Sequence, residues 1–223
     1  NASYGLPDLA MTSREDVLED VRRIRSASEL PLLVDIDTGW GSALAISRSI
    51  KEMISAGASG VHIEDQVSEK RCGHRPNKEI VSCEEMVDRI KAAKDAQTDD
   101  NFLLMARTDA FAKGGLQEVI DRSNAFIEAG INRFSLGAQS FNNEVLQQAG
   151  RRHLEEDVER SCLWLKESYE YGYIKSWSLD LIQNLPRITF NEWRNVLKKA
   201  LIFSPPHISV YDLSIEDGTV FKK

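Results

Sequence analysis

The chain has 223 residues, of which 42% are hydrophobic and 28% are charged, and its formal net charge is −7 at pH 7. This length suits one large domain or two small ones, and the composition is that of a soluble globular protein without a membrane span. An acidic chain without a basic patch excludes nucleic acid and anionic membranes as expected partners. The three cysteines are too few for a disulfide framework, and no signal-peptide pattern opens the chain, so a cytoplasmic location with reduced thiols is expected.

Charge is distributed unevenly along the chain. Residues 1–130 contain 23 acidic and 16 basic side chains, whereas residues 131–223 contain 12 of each. Such a shift can mark a domain boundary or differing surface faces of one domain. We therefore predict two parts, 1–130 and 131–223, packed as one continuous domain.

Six short apolar stretches are predicted to be β-strands. Several are runs of branched residues, which are typical of strands buried on both faces of a parallel sheet. Amphipathic helical patterns separate them, so the predicted fold class is α/β with six parallel βα units. A closed barrel needs eight such units, and the prediction is therefore an incomplete TIM barrel. The stretches are 31–37, 60–65, 102–109, 133–139, 174–182 and 207–215.

Local signals place the helix ends. Capping boxes are predicted at Ser13–Asp16, Ser82–Glu85 and Thr189–Glu192, because a hydroxyl followed three residues later by an acid can satisfy free backbone donors. Gly57, Gly130 and Gly172 follow helical patterns and are predicted to end them.

Charged side chains follow the first three predicted strands, where ligands bind in parallel α/β folds. Asp35 and Asp37 are two residues apart, so a strand would point both carboxylates to one side, an arrangement that suits magnesium. The alternative is a helix cap and a solvated acid. Glu64 ends the second strand. The third strand ends in Arg107–Thr108–Asp109. Its arginine could bind a substrate carboxylate, or could instead pair with Asp109 or a neighbouring acid.

The segment after the second strand carries a cysteine among basic residues. Lys70, Arg71, His74 and Arg75 surround Cys72, and such a setting lowers the pKa of a thiol. Cys72 is therefore a candidate acid, base or nucleophile. The alternative is a buried, inert cysteine.

Several ordered motifs in residues 1–130 resemble the 2-methylisocitrate lyase branch of the isocitrate lyase/phosphoenolpyruvate mutase superfamily. The pentapeptide KRCGH after a strand ending in HIED looks like the catalytic loop of that family, and HRPNK resembles the 2-methylisocitrate lyase branch in particular. The motifs are GLPD (5–8), LLVDIDTGWG (32–41), KRCGH (70–74), HRPNK (74–78) and MARTDA (105–110).

This resemblance implies a magnesium-dependent enzyme that cleaves 2-methylisocitrate to pyruvate and succinate. In the implied mechanism the metal polarises the developing 2-oxo group while a thiol delivers a proton. The family's first two strands and its strand after Gly130 have no counterpart in this sequence, so we expect weak magnesium binding and very slow or absent turnover. The implied metal residues are Asp8, Asp35, Asp37 and Glu64, the catalytic residues Lys70, Cys72, His74 and Arg107, and the substrate-binding residues Gly73, His74 and Arg107.

The second part resembles a different family, the oxygen-independent coproporphyrinogen oxidase-like radical S-adenosylmethionine proteins, which include haem chaperones. The resemblance lies in residues 130–151, 178–186 and 205–221, and it implies that Gln139, Arg151 and Asp180 contact S-adenosylmethionine. Gln139 and Asp180 could equally be helix caps or barrel-interior hydrogen-bonding groups. The cluster-binding CxxxCxxC motif is missing, so S-adenosylmethionine is not expected to act as a cofactor.

The sequence is thus interpreted as a chimera joined near Gly130. Three hypotheses follow: a magnesium-dependent lyase acting on a small carboxylate, a radical S-adenosylmethionine protein fragment, and a non-catalytic fold. We expect six strands in sequential order. We expect the exposed sheet edges to be covered by the N-terminal segment, removed by distorted closure of the sheet, or used for self-association. We also expect the charged residues to gather at one end of the sheet. Those residues are Asp35, Asp37, Glu64, Arg107, Gln139 and Asp180.

Overall fold

The computed structural model describes residues 2–7, 9–70, 78–185 and 188–214. The chain divides into two compact units, Asn1–Ile131 and Asn132–Lys223. Their boundary lies beside Gly130, where the charge of the sequence changes. That the two parts pack as one continuous domain stays a prediction, and each unit is described by itself.

The first unit is a three-stranded parallel sheet in the order β1-β2-β3 with its helices. Each strand is followed by a helix, and the strands pair in register with Leu33 opposite Gly60 and Gly60 opposite Leu103. The elements are α1 (Arg14–Ala27), β1 (Leu33–Asp35), α2 (Ala43–Ser55), β2 (Gly60–Glu64), α3 (Cys83–Asp95), β3 (Leu103–Arg107) and α4 (Phe111–Glu128).

One face of this sheet packs against the helices. Val34, Val61 and Ile63 are buried, and α2 and α3 contact the strands with fully buried isoleucines and methionines. Removing such branched side chains from water supplies the main stabilisation of the unit, about 1.5–3 kcal/mol for each. The other face of the sheet carries Asp35, His62 and Arg107, so the polar chemistry lies away from this core.

The second unit repeats the pattern with the order β4-β5-β6, again parallel. Trp177, Leu179 and Leu181 of its middle strand are fully buried, and the ring of Phe134 packs edge-on against Trp164 at a centroid distance of 5.7 Å. The elements are β4 (Arg133–Gln139), α5 (Asn143–Gln148), α6 (Glu155–Glu170), β5 (Ser176–Gln183), α7 (Phe190–Ile202) and β6 (His207–Asp212).

All six predicted strands are present, with ends that differ from the predicted ones by up to three residues. A single six-stranded array is not confirmed, because the strands form two three-stranded sheets. The α/β class with parallel strands is correct. Within the described ranges, no helix has both the length and the apolar content that a membrane crossing requires.

The predicted helix ends are confirmed. The capping boxes at Ser13 and Thr189 have both of their hydrogen bonds, and Ser82 accepts a hydrogen bond from the backbone N–H of Glu85. The three predicted terminal glycines follow the last residues of α2, α4 and α6 with left-handed φ values. These are 93° at Gly57, 102° at Gly130 and 77° at Gly172.

Candidate active site at the strand ends of the first unit

Three of the predicted site residues are the last residues of three neighbouring parallel strands. Asp35 ends β1, Glu64 ends β2 and Arg107 ends β3. Glu64 and Arg107 are register partners across the sheet, while Asp35 pairs with His62. The prediction that these three side chains share one end of a sheet is confirmed for this unit.

Asp37 reaches the site in a different way from the one predicted. Strand β1 ends at Asp35, and Asp37 lies in the following turn with a left-handed φ of 51°. Aspartate tolerates this conformation better than most residues. The argument that a strand period of two aligns the two carboxylates is therefore wrong, because the turn sets the direction of Asp37.

The turn also fixes Asp35. The backbone N–H of Asp37 donates to Asp35 Oδ1 at 2.9 Å, and His62 Nδ1 lies 3.7 Å from the same oxygen. Burial acts to raise the pKa of Asp35, but the hydrogen bonds from His62 and Asp37 and the charge of Lys70 outweigh it, and the pKa lies below its usual value. The Asp35 side chain is 54% exposed, so this is an ionised carboxylate that solvent and ligands can reach.

Lys70 is a buried cation between two acids. Its ammonium group forms an ion pair with Asp37 and lies 3.9 Å from Glu64 Oε1. The Lys70 side chain is 5% exposed, and a buried charge requires such partners. The catalytic role that the resemblance implies for Lys70 stays a prediction.

Glu64 has an unusual environment for an acid. Its side chain is 3% exposed, Gln66 Nε2 donates to Oε1 at 3.2 Å, and Arg107 Nη1 lies 3.9 Å from Oε2. Burial raises the pKa of Glu64 to about 7, against the lowering effect of Lys70 and Arg107. Near neutral pH this residue can therefore hold or release a proton.

Arg107 makes the ion pair with Asp109 that the sequence left open as an alternative. Its Nη2 lies 3.2 Å from Asp109 Oδ1, and its side chain remains 38% exposed. Burial disfavours the guanidinium charge, but the carboxylates of Asp109 and Glu64 outweigh this effect and raise the pKa of Arg107. A permanently charged, partly open guanidinium suits the binding of a carboxylate ligand.

A second group of buried charged residues connects the segments that follow strands β2 and β3. Asp65 is fully buried and accepts hydrogen bonds from the Thr108 hydroxyl at 2.6 Å and the Asp109 N–H at 3.0 Å. Arg122 of α4 pairs with Asp65 at 3.2 Å and donates to the carbonyl of Val81 at 2.7 Å. This group ties the end of β2 to the residues that follow β3.

The sequence interpretation missed four residues of this region. Gln66, Lys78 and Arg122 were not assigned roles, and Asp109 was considered only as a partner of Arg107. Lys78 lies in the quoted HRPNK motif and Asp109 in MARTDA, so position within a motif was an available signal for both. Arg122 had none, because its partner Asp65 is 57 residues away along the chain.

The predicted metal cluster is not confirmed. Among the residues with described positions, no group of three or more acidic, histidine or cysteine side chains is arranged to hold a metal ion. Asp37 and Glu64 instead approach Lys70. Four residues of the predicted site lie outside the described residues, namely Asp8, Cys72, Gly73 and His74.

The three predicted cofactor residues of the second unit differ in position. Gln139 ends β4 with a left-handed φ of 67°, and Arg151 follows α5. Asp180 lies in the middle of β5, so its predicted place at a strand end is wrong. Its carboxylate accepts hydrogen bonds from the hydroxyls of Ser135 at 2.8 Å and Ser178 at 3.2 Å, and the side chain is partly buried.

The fold and the site define a class: α/β proteins in which acids, a lysine and an arginine meet at the carboxyl ends of parallel strands. A family model described as phosphoenolpyruvate phosphomutase matches residues 1–141. The chain belongs to this family, part of the PEP mutase/isocitrate lyase superfamily.

Individual relatives agree with this assignment. The chain is 68% identical over 130 residues to a 2-methylisocitrate lyase of Shewanella oneidensis, an alignment that covers 58% of this chain and 44% of the relative. It resembles the structure of an oxaloacetate acetylhydrolase bound to 3,3-difluorooxalacetate with a TM-score of 0.66 and 26% identity, covering 94% of this chain and 63% of that one. A phosphonopyruvate hydrolase complexed with oxalate and Mg²⁺ gives a TM-score of 0.64 and 26% identity, covering 95% and 64% of the two chains.

The chain thus spans less than half the length of this curated relative and less than two thirds of these two structures. The alignment of 130 residues matches the extent of the resemblance seen in the motifs. Fold and family are established by these comparisons, while activity is a matter of proposal.

Proposed function

We propose that the first unit carries the site of a magnesium-dependent carbon–carbon lyase of the 2-methylisocitrate lyase type. The observation that carries this proposal is the meeting of Asp35, Glu64 and Arg107 at the carboxyl ends of three parallel strands, with Lys70 between the acids. The 68% identity to a 2-methylisocitrate lyase over 130 residues supports this choice within the family.

The chemistry of Asp35 supports the proposal of a magnesium ion at the strand ends. Magnesium prefers carboxylate oxygens and keeps several of its water molecules. Asp35 offers an ionised carboxylate that is half exposed, and its contacts with Asp37 N–H and His62 are to Oδ1. We assign Asp35 as the principal ligand, with Asp37 and Glu64 acting through water because Lys70 already neutralises much of their charge. Asp8 joins this set by resemblance.

Each residue then has a role in cleavage. A bound magnesium ion would act as a Lewis acid that polarises the oxygen of the 2-oxo product as it forms. Arg107 binds a substrate carboxylate through its open guanidinium, and Lys70 holds the acids in place. Cleavage also requires the substrate hydroxyl to lose its proton to a base, for which Glu64, with a pKa raised to about 7, is the described candidate. The electron pair of the broken carbon–carbon bond is left on the succinate fragment, and the Cys72 thiol supplies the proton that completes it. Gly73 and His74 contact the substrate by resemblance.

We propose further that turnover is slow. The alignment with the 2-methylisocitrate lyase of Shewanella oneidensis spans 130 of the 223 residues, so the residues that orient the substrate in that relative are matched only in part. A displacement of about 1 Å at a reacting centre can reduce the rate roughly 100-fold. The metal residues all lie between positions 8 and 64, so metal binding is less affected by these differences than catalysis.

The test is pyruvate release from 2-methylisocitrate with magnesium. We expect slow release that requires magnesium and disappears in the Asp35→Ala and Cys72→Ser variants. Release that continues in both variants would come from a contaminating enzyme and would overturn the proposal, as would no release from the unmodified chain at high protein concentration.

The resemblance of residues 131–223 to radical S-adenosylmethionine proteins stays a prediction. It rests on sequence motifs alone, and the relatives named above belong to the lyase superfamily. The positions of Gln139 and Arg151 neither favour nor oppose it, while Asp180 is already engaged with Ser135 and Ser178. Chemistry with S-adenosylmethionine therefore has no structural observation in its favour.

A further inference from the structure

Asp109 receives three donors from three different parts of the first unit. Lys78 Nζ lies 2.5 Å from its Oδ1 and Arg107 Nη2 lies 3.2 Å from the same oxygen, whereas Gln66 Nε2 donates to Oδ2 at 3.2 Å. The Asp109 side chain is 10% exposed and that of Lys78 is 11% exposed. Two cations therefore share one largely buried carboxylate oxygen.

The amide of Gln66 fixes the orientation of this carboxylate. Its Nε2 donates both to Asp109 Oδ2 and to Glu64 Oε1, each at 3.2 Å, and the residue is 1% exposed. A buried amide held between two acids cannot turn without losing a hydrogen bond, which is costly away from water. Oδ1 of Asp109 is thereby directed to the two cations.

Because Lys78 and Arg107 share Asp109, the Arg107 guanidinium is only partly engaged by this carboxylate. If Asp109 had Arg107 as its sole cation, the pair would tend toward the bidentate geometry that arginine and carboxylate prefer. In the structure Lys78 makes the shorter contact with Asp109 Oδ1. Arg107 makes one contact with the Asp109 carboxylate, at 3.2 Å, and 38% of its side chain is exposed. The lysine thus competes with the arginine for one oxygen.

We propose that Lys78 and Asp109 are positioning residues for Arg107: Asp109 orients the guanidinium, and Lys78 prevents Asp109 from capturing it, so that Arg107 stays open to a carboxylate ligand. This inference rests on the proposed function, which gives Arg107 its ligand. The arrangement also explains why an acid lies beside an anion-binding residue without blocking it.

The experiment measures how fast phenylglyoxal modifies Arg107 in the intact chain, using peptide mass spectrometry. Exposed Arg48 of α2 serves as an internal reference. In Lys78→Met the freed Asp109 binds Arg107 more closely, so labelling relative to Arg48 should slow roughly threefold. In Asp109→Asn the guanidinium loses its partner, and labelling should accelerate by a similar roughly threefold factor.

Labelling of Arg107 should slow in Lys78→Met and accelerate in Asp109→Asn. These opposite changes distinguish a positioning role from a merely structural one, because general loosening of the site would accelerate labelling in both variants. Lys78→Arg keeps the charge and should restore the rate of the unmodified chain. The matched control is Lys166→Met, which makes the same change in an exposed pair of α6 at 4.0 Å from Glu170, and it should leave Arg107 labelling unchanged.

Faster labelling in Lys78→Met, or no change in either variant, would overturn the proposal. The labelling needs neither substrate nor turnover, so absence of lyase activity would count against the proposed function without affecting this result. With turnover present, Lys78→Met should raise KM for 2-methylisocitrate and change kcat much less, since the binding of a carboxylate is what it weakens.

Discussion

The ammonium group of Lys70 lies against the carboxylate of Asp37, and the two side chains are 5% and 13% exposed. This ion pair joins the residue that follows β2 to the turn that follows β1. It also places a cation 3.9 Å from Glu64, so one lysine balances two buried acids. The site therefore depends on Lys70 both for stability and for the state of its carboxylates.

Replacing Lys70 with methionine should destabilise the protein by about 3–5 kcal/mol, because removal of one partner leaves buried charge without compensation. The measurement is urea unfolding followed by circular dichroism. Lys166→Met is the control, since its pair with Glu170 is exposed and should contribute at most about 1 kcal/mol. Equal, small effects of the two substitutions would contradict the importance of the Lys70 pair.

Asp65→Asn should lower the free energy of unfolding by about 2–3 kcal/mol. Asp65 is fully buried and accepts from Thr108, the N–H of Asp109 and Arg122, and an amide cannot balance the charge of that arginine. Comparison with Glu118→Gln, which alters a more exposed partner of Arg122, isolates the buried interaction. A smaller loss for Asp65→Asn than for Glu118→Gln would contradict this account.

Cys162 should resist alkylation in the folded protein. The thiol is fully buried on α6, and burial raises its pKa to about 12, so the reactive thiolate is scarce at pH 8. Treatment with iodoacetamide followed by peptide mass spectrometry should modify Cys162 after denaturation and hardly at all before it. Modification of the folded chain as fast as that of the half-buried Cys83 would be inconsistent with the packing of α6.

His153 should give the second unit a stability that depends on pH. Burial lowers the pKa of His153 below 6.5, and Arg151 adds to this effect, against hydrogen bonding to the Ala138 carbonyl. As the pH falls, His153 therefore becomes protonated in the unfolded chain at a higher pH than in the folded protein. The neutral His153 ring therefore makes its full contribution to the free energy of unfolding above about pH 6.5. That contribution is lost as the pH falls through the lower pKa of the folded state.

The check is an NMR titration of the His153 ring proton, assigned by its absence in His153→Gln. A midpoint below 6.5 is expected, and the pH dependence of unfolding below that value should weaken in the variant. A midpoint at or above 6.5 would contradict a dominant effect of burial on the His153 ring.

The sequence predicts the strands and helix ends well because they depend on local signals. Hydroxyl caps such as Ser13 and Thr189 act within one helical turn, and the strand ends bring Asp35, Glu64 and Arg107 together by topology alone. The partners of these residues are a different matter. Nothing within a few residues of Asp65 indicates Arg122, whereas Gly39 and Gly41 were available as signals of the turn that directs the Asp37 carboxylate.

Local sequence patterns also do not determine how the six strands are grouped into sheets. Regular βα spacing is compatible with one array of six strands or with two arrays of three. The right-handed crossover rule fixes only the handedness of each connection and not the number of strands in a sheet. Asp180 illustrates the same limit: its strand was predicted, but its place in the middle of that strand and its bonds to Ser135 and Ser178 depend on register.

Metal binding tests the central claim most directly. Titration of Mn²⁺, a paramagnetic substitute for magnesium, can be followed by electron paramagnetic resonance without substrate or turnover. The account predicts weak binding of one ion per chain that magnesium displaces, that disappears in Asp35→Ala and that persists in Asp212→Ala, a control acid of the second unit. Binding that is equal in all three proteins, or no binding at millimolar metal, would contradict the presence of a magnesium site at the end of β1.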